Sequence, residues 1–302
     1  MLAAPWARGG NDSFWQTLSA QPLAALLLAG KVSGEGIDWT VRAAGRTEGE
    51  SEDDTSPSWV EAIGLTSGRS RHAQELHNSL TAEEKLRDSM IATMKAGLAP
   101  WLMSTVVGHP ESQPFHPRLL EGPGEPTLYI TSPASGVAAG AAAAVIEMII
   151  THWRKGVERG LRRILLSIDE FANVAPIPMI DRYLSEARGL GVACMIALQS
   201  STQLNHRFGE SQGKAIFDVV PTFLLLNGSA EFELLEIASK WSGEHDVWRK
   251  SIDHQQHESL TAERVPVRTV SELLPRSVKV GRLLLDKQAG HEVELPGIWE
   301  IA

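Results

Sequence analysis

A single cysteine, Cys194, stands in the 302 residues, so neither an internal disulfide nor a cysteine-clustered zinc site can form. That scarcity matches a reducing compartment. The thiol's place in the apolar run Val192-Ala193-Cys194-Met195-Ile196 marks it as a small core residue and not a nucleophile. No apolar segment is long enough to cross a bilayer: the longest, residues 136–150, contains Glu147 and falls short of the roughly 20 residues a spanning helix needs. Residues 1–10 have no apolar core between a basic end and a cleavage site, so they do not read as a secretion signal. Positive charge is also in deficit. A net charge of −9 excludes a surface that coats nucleic acid generally, although a local basic lining would not show in that sum. What is present, 43% apolar and 22% charged side chains, suffices for one large or two ordinary domains with real cores.

Read in order, residues 14–29 carry the apolar spacing of a helix, with Asn11, Asp12 or Ser13 as N-cap, Pro22 as a break or kink and Gly30 as the stop. Residues 31–58 are dense in Gly, Ser, Glu and Asp and read as a solvated loop or disordered insertion. Helical spacing resumes over 58–64 and 71–102, where Thr81 and Glu84 have the spacing of a capping box and Leu86, Met90, Ile91 and Met94 form an apolar face. Pro110, Pro114, Pro117, Pro123 and Pro126 lie too close together for helix or central strand, which makes this stretch the best domain boundary. Beyond it the pattern changes to strands at 127–131, 164–168, 192–198 and 222–226, with helices at 136–155, 179–190, 202–208, 212–219 and 231–241 between and after them. Such alternation implies a parallel sheet. The segment holding His245, His254 and His257 reads as surface, since no ligand spacing recurs, while 278–285 is strand-like and 291–299 extended.

The stretch with chemistry in it is Arg162-Arg163-Ile164-Leu165-Leu166-Ser167-Ile168-Asp169-Glu170. Two basic residues precede an apolar run that ends in paired carboxylates, as a central strand does when it delivers acids to the carboxyl edge of a sheet. In nucleotide hydrolases the first such acid holds Mg²⁺ and the second orients the attacking water. Gln199 ends the next strand and Asn227 follows the fourth; an amide beside an acid pair is placed to sense a phosphate or to cap the next helix. Arg188, in Glu186-Ala187-Arg188-Gly189-Leu190-Gly191, either offsets the end of a helix dipole or projects from the subunit. A phosphate-binding P-loop is missing. Gly209-Glu210-Ser211-Gln212-Gly213-Lys214-Ala215 has one residue too few and ends in Ala, and residues 64–70 carry arginine in place of lysine.

Leu165-Leu166-Ser167-Ile168-Asp169-Glu170-Phe171-Ala172-Asn173, then Ser185-Glu186-Ala187-Arg188-Gly189-Leu190-Gly191-Val192, then Leu198-Gln199-Ser200-Ser201-Thr202-Gln203-Leu204, resemble the Asp-Glu-Phe, Arg-Gly-x-Gly and Gln-Ser-x-x-Gln-Leu elements of the VirD4/TraG/TraD type IV coupling proteins. The likeness runs over 126–300, and within it Leu273-Leu274-Pro275 and Pro296-Gly297-Ile298-Trp299 also resemble the family's end. It implies an α/β fold, a RecA-like, P-loop NTPase-type, mostly parallel sheet with helices on both faces, plus an inserted all-α domain. The implied division is 1–12 an N-terminal remnant, 13–108 the all-helical insertion, 109–126 the Pro-rich connector and 127–302 the motor domain. The resemblance also implies a hexameric ATPase at the cytoplasmic face of the bacterial inner membrane. Such an enzyme passes single-stranded DNA with its relaxase to the type IV secretion channel, using ATP and Mg²⁺. By the same resemblance Asp169 is the Mg²⁺-associated acid, Glu170 the catalytic acid, Gln199 the γ-phosphate sensor and Arg188 a finger reaching the neighbouring subunit.

The family's membrane helices, first strand and P-loop lie upstream of the insertion. The chain is therefore expected to be a fragment, a product of a misplaced start, or a paralogue without ATP binding, with little or no hydrolysis of its own. Two readings follow: part of a DNA-moving ATPase, or a non-catalytic adaptor whose helical part binds relaxase or secreted cargo. A generic α/β enzyme has no Ser-His-Asp or metal constellation to support it.

Overall fold

Helix α1 (Gly10–Ser33) is the hub of the first part of the chain, because Leu23, Ala25, Leu26 and Ala29 recur at helical spacing and are all buried. The computed structural model describes residues 10–50, 54–68, 70–109, 111–132, 138–175, 177–229, 231–252, 258–285, 288–297 and 300. Residues 1–9, Pro110, Gly136, His254 and His257, and Ile298 and Trp299, all of which figured in the sequence reading, lie outside them. There are two compact units, Met1–Ala197 with Arg207–Gly209, and Leu198–His206 with Glu210–Ala302.

In the first unit, α1 packs against α2 (Ile37–Ala43), α3 (Trp59–Thr66), α4 (His72–Leu80) and α5 (Glu84–Leu98). Their shared core holds Trp39, Ala43, Trp59, Leu76, Met94 and Leu98. Pro22 does not break α1, which runs through it. An internal proline costs about 3 kcal/mol, and burying the α1 stripe against four helices exceeds that. Gly30 is not the stop either: a Cβ there would meet the Gly36 carbonyl oxygen at 2.3 Å, so this glycine serves the close approach of the chain entering α2. The interval 31–58 is no loop throughout, since α2 lies inside it and places Trp39 in the core. Its polar average concealed Ile37, Trp39, Val41 and Ala43-Ala44. Nor do Thr81 and Glu84 form a capping box. The Thr81 hydroxyl donates back to the His77 and Asn78 carbonyls at the end of α4, and α5 begins without a side-chain cap.

A short helix, α6 (Ser104–Val107), leads into the proline-rich stretch, which is irregular apart from a 3₁₀ turn at Pro117–Leu120. Glu121 joins it to α7 (Ala139–Gly156) through an ion pair with His152. Residues 127–131 form no strand: they run unpaired, with Tyr129 exposed, because an apolar run becomes a strand only where a neighbour accepts its backbone groups. Strand β1 (Ile164–Ile168), α8 (Phe171–Val174), α9 (Ile180–Leu190) and β2 (Val192–Ile196) complete the unit. β1 and β2 pair in parallel, Ile164 opposite Val192 through Ile168 opposite Ile196. Leu166, Ile168 and Val192 are buried on one face, whereas Leu165 and Met195 on the other are 61% and 58% exposed. The expected helices on both faces are thus present on one among the described residues.

The second unit takes in most of α10 (Thr202–Phe208), then α11 (Glu210–Val219), β3 (Thr222–Leu225), α12 (Phe232–Trp241), β4 (Glu244–Ile252), β5 (Glu258–Pro266), α13 (Val270–Leu273), β6 (Val280–Leu285) and β7 (His291–Glu294). β3 does not extend a parallel sheet; it pairs antiparallel with β6, which pairs antiparallel with β7. An apolar run carries no mark of its direction, so alternation with helices misled here. The segment after α12, read as surface, is mostly exposed where described and forms a two-stranded antiparallel ribbon, β4 with β5. Arg282, 3% exposed in mid-strand β6, donates to the Leu273 and Glu272 carbonyls at 3.0 and 3.1 Å and so closes the C-terminal end of α13.

Candidate functional site

The parallel pairing ends both strands at the same edge. The Ala197 N–H donates to the Ile168 carbonyl at 2.9 Å and its carbonyl accepts from the Phe171 N–H at 3.2 Å, so the residue after β2 is laced across the acid pair's own peptide segment. Asp169 and Glu170 occupy the turn between those two bonds, Asp169 exposed and Glu170 half-buried. The sequence expectation that β1 delivers its acids to the carboxyl edge of a parallel pair agrees with this.

Glu170 adopts φ 47° and ψ 45°, a left-handed conformation that is costly for any residue with a Cβ. Its N–H is held by Asp169 Oδ1 at 3.0 Å, so the first carboxylate fixes the peptide that aims the second. The following residue anchors the turn: Phe171 is fully buried and stacks on Phe208, ring centroids 5.6 Å apart. Strained backbone persists where surrounding packing over-determines it, and such places concentrate at functional sites. Cys194, beside these acids in sequence pattern only, has its thiol pKa pushed up by burial, which suits a core residue.

Arg188 stands in the last turn of α9, which Gly191 ends in a left-handed conformation; the arginine's side chain lies outside the described residues. Gln199 follows Ala197 by two residues and belongs to the second compact unit. Its N–H donates to Gln203 Oε1 at 3.2 Å. Ser201, two residues on, gives both its N–H and its hydroxyl to the carboxylate of Glu231, each at 2.7 Å. Asn227 lies exposed in the turn after β3. Of the four site residues read from the sequence, then, Asp169 and Glu170 share one described edge, while Gln199 and Arg188 are each placed on their own element. Glu231 was missed, and nothing local could have flagged it, because its partner is 30 residues away.

The donor set at the acids fits Mg²⁺: exposed carboxylate oxygens are the hard ligands this ion takes, one or two at a time, with water and substrate phosphates filling the rest. Asp169 would hold the ion and Glu170 would face its water or the attacking one. Among the described residues no group of three or more His, Cys, Asp or Glu is placed to bind a metal unaided. The triphosphate cradle is a different matter. Gly213, in the nearest glycine-lysine pair, lies inside α11, where a Cβ would meet Asn205 Oδ1 at 2.3 Å; it is a packing glycine and not part of a phosphate loop. Gly64 is likewise inside α3.

Residues 163–277, which contain the acid turn, Arg188, the Gln199 loop and Glu231, match the family described as the TraM recognition site of TraD and TraG. That match and the structural likeness below support a resemblance to the VirD4/TraG/TraD type of coupling protein. Solved coupling-protein structures share its fold. The bacterial conjugative coupling protein TrwBdeltaN70, in an unbound monoclinic form, superposes with a TM-score of 0.67 at 16% identity, over 98% of this chain and 66% of that one. Plasmid coupling protein TrwB in complex with ADP and Mg²⁺ gives 0.64 at 18% identity, and TrwB with the non-hydrolysable analogue ADPNP gives 0.66 at 18%, each with the same coverage. The chain therefore spans 66% of the length of the structures it matches. No curated protein matches it. No helix among the described residues is long and apolar enough to cross a membrane.

Proposed function

We propose that this coupling-protein chain is the C-terminal motor part and helical domain of a conjugative, type IV secretion ATPase, which recruits a relaxase-bound DNA strand and drives its translocation by ATP hydrolysis. The observation that carries the reading is the acid turn: two adjacent carboxylates at the carboxyl edge of a parallel strand pair, the second held in a left-handed backbone above a buried phenylalanine. In this reading Asp169 holds Mg²⁺ through its water, Glu170 takes the proton of the attacking water, Gln199 reports the γ-phosphate and Arg188 reaches the nucleotide of an adjoining subunit. The division into 1–12, 13–108, 109–126 and 127–302 belongs to the same proposal, as do assembly into a hexamer and a place at the cytoplasmic face of the inner membrane beside the secretion channel. The matched family's description names TraM recognition, which supports a protein partner for residues 163–277.

No Gly-x-x-x-x-Gly-Lys-Ser/Thr occurs in these 302 residues, so turnover requires a cradle supplied from outside them. The test is Glu170→Gln in a protein that carries such a cradle in frame before Met1. Steady-state hydrolysis is expected to fall by about 10²–10⁴-fold with ATP affinity retained, since only water activation is removed. An unaltered rate in that variant would sink the assignment.

A further inference from the structure

The Glu231 carboxylate has an unusual allegiance. It is the N-cap residue of α12, where an acidic side chain ordinarily accepts from the helix's own first N–H groups. Here it makes no cap bond, and both oxygens turn to Ser201, one to its N–H and one to its hydroxyl, each at 2.7 Å. A carboxylate that accepts twice at that distance belongs to the stronger class of hydrogen bond. On the other flank of the loop, Gln203 Oε1 takes the Gln199 N–H, and Ser200 Oγ lies 2.9 Å from Thr202 Oγ1. The peptide that carries Gln199 is therefore pinned from two sides, locally by Gln203 and at long range by Glu231.

We propose that Glu231 is a positioning residue for Gln199. Its carboxylate fixes the Gln199-Ser200-Ser201 backbone so that the amide of Gln199 is held in one orientation, a role that rests on the reading of Gln199 as the γ-phosphate reporter. Alanine at position 231 removes both acceptors, whereas glutamine keeps its oxygen for the Ser201 N–H and can donate its NH₂ to the Ser201 hydroxyl, which accepts as well as donates.

The experiment uses the 302-residue chain labelled with ¹⁵N-glutamine and ¹⁵N-serine. In Glu231→Ala, the Gln199 backbone signal is expected to move toward that of an unstructured glutamine and the Ser201 amide to exchange about tenfold faster or more. The Gln74 signal, in α4 of the other unit, should stay put. Ser201→Ala keeps the N–H bond and should give an intermediate shift; Ser201→Thr keeps both and should restore the native spectrum. A Gln199 signal unmoved in Glu231→Ala overturns the proposal, and so does one that moves only together with Gln74, since that would be general loosening. If Glu231→Ala fails to fold, the Ser201 pair decides by the same criteria. The kinetic arm, in the protein with a cradle, expects kcat down about tenfold with KM for ATP changed less than about twofold; an unchanged kcat in a variant whose Gln199 has moved also overturns it. The spectra need no nucleotide, so a protein that hydrolyses nothing even when cradled would remove the ATPase reading and leave the result for the clamp readable.

Discussion

Two pairs of strands in this protein invert the usual link between length and strength. β1 and β2 share five registered positions and bury Leu166, Ile168 and Val192 on one face. β4 and β5 share nine, yet Trp248 and Leu260 are 66% and 67% exposed and no third strand joins them among the described residues. Side-chain ties described in the ribbon include ion pairs in open water, Arg249 with Glu263 at 2.7 Å and Arg264 with Asp246 at 3.4 Å. Exposed pairs of that kind contribute about 0–1 kcal/mol each. What a strand packs against, and not how many rungs its ladder has, decides which pair can hold the strained acid turn.

The contrast breaks most visibly at Phe171. Truncation to alanine should cost about 3–5 kcal/mol in denaturant unfolding, because the site under the acid turn would become a cavity; a loss below about 1 kcal/mol would show that the turn is not held from beneath. Acid titration sharpens the comparison at intermediate scale, through two carboxyl groups with opposite habits. Glu147 on α7 is 6% exposed, and burial raises its pKa, with the Tyr183 hydroxyl offsetting only part. Folded Glu147 keeps its proton longer than the unfolded chain does, so stability should fall as pH rises above the ordinary glutamate value of about 4.3. Asp54 is the reverse: hydrogen bonds from Ser56 and the Glu50 N–H, aided by Arg46, hold its pKa well below the usual range. Its contribution is complete above about pH 4 and is lost as pH falls. Urea midpoints followed with pH should therefore lose their high-pH decline in Glu147→Gln and part of their acid decline in Asp54→Asn; parallel curves for both variants and the parent would refute the assignment. The smallest effect belongs to the ribbon, where Trp248→Ala should change stability by less than about 0.5 kcal/mol. A larger loss in the isolated chain would mean that the ribbon is packed in solution.

The same contrast explains what could be read from residues alone. Asp169 and Glu170 were legible because a buried parallel strand leaves an apolar run with its acids at the end. The ribbon was not, since Glu244-His245-Asp246-Val247-Trp248-Arg249-Lys250 pairs through its backbone and keeps its side chains in water, leaving no alternation to find. Direction of pairing was equally silent at Thr222-Phe223-Leu224-Leu225, which met β6 antiparallel. Cap chemistry proved ambiguous: Thr81 with Glu84 had the spacing and did not form the box, whereas Thr269 with Glu272 formed it at α13. Spacing says which groups are within reach, and the backbone conformation at the first residue decides whether they use it. Glu231 lay beyond any local rule, because a contact between residues 30 apart is made only by the fold.

The left-handed peptide at Glu170 sets durability against reactivity at one position. Glycine or asparagine would sit in that well with less strain, recovering on the order of 1 kcal/mol, and either would delete the carboxylate proposed to take the proton. The most comfortable chain for this bend is thus an inert one, and the acid is kept there only because Phe171 below it and Ala197 alongside it give the backbone nowhere else to go.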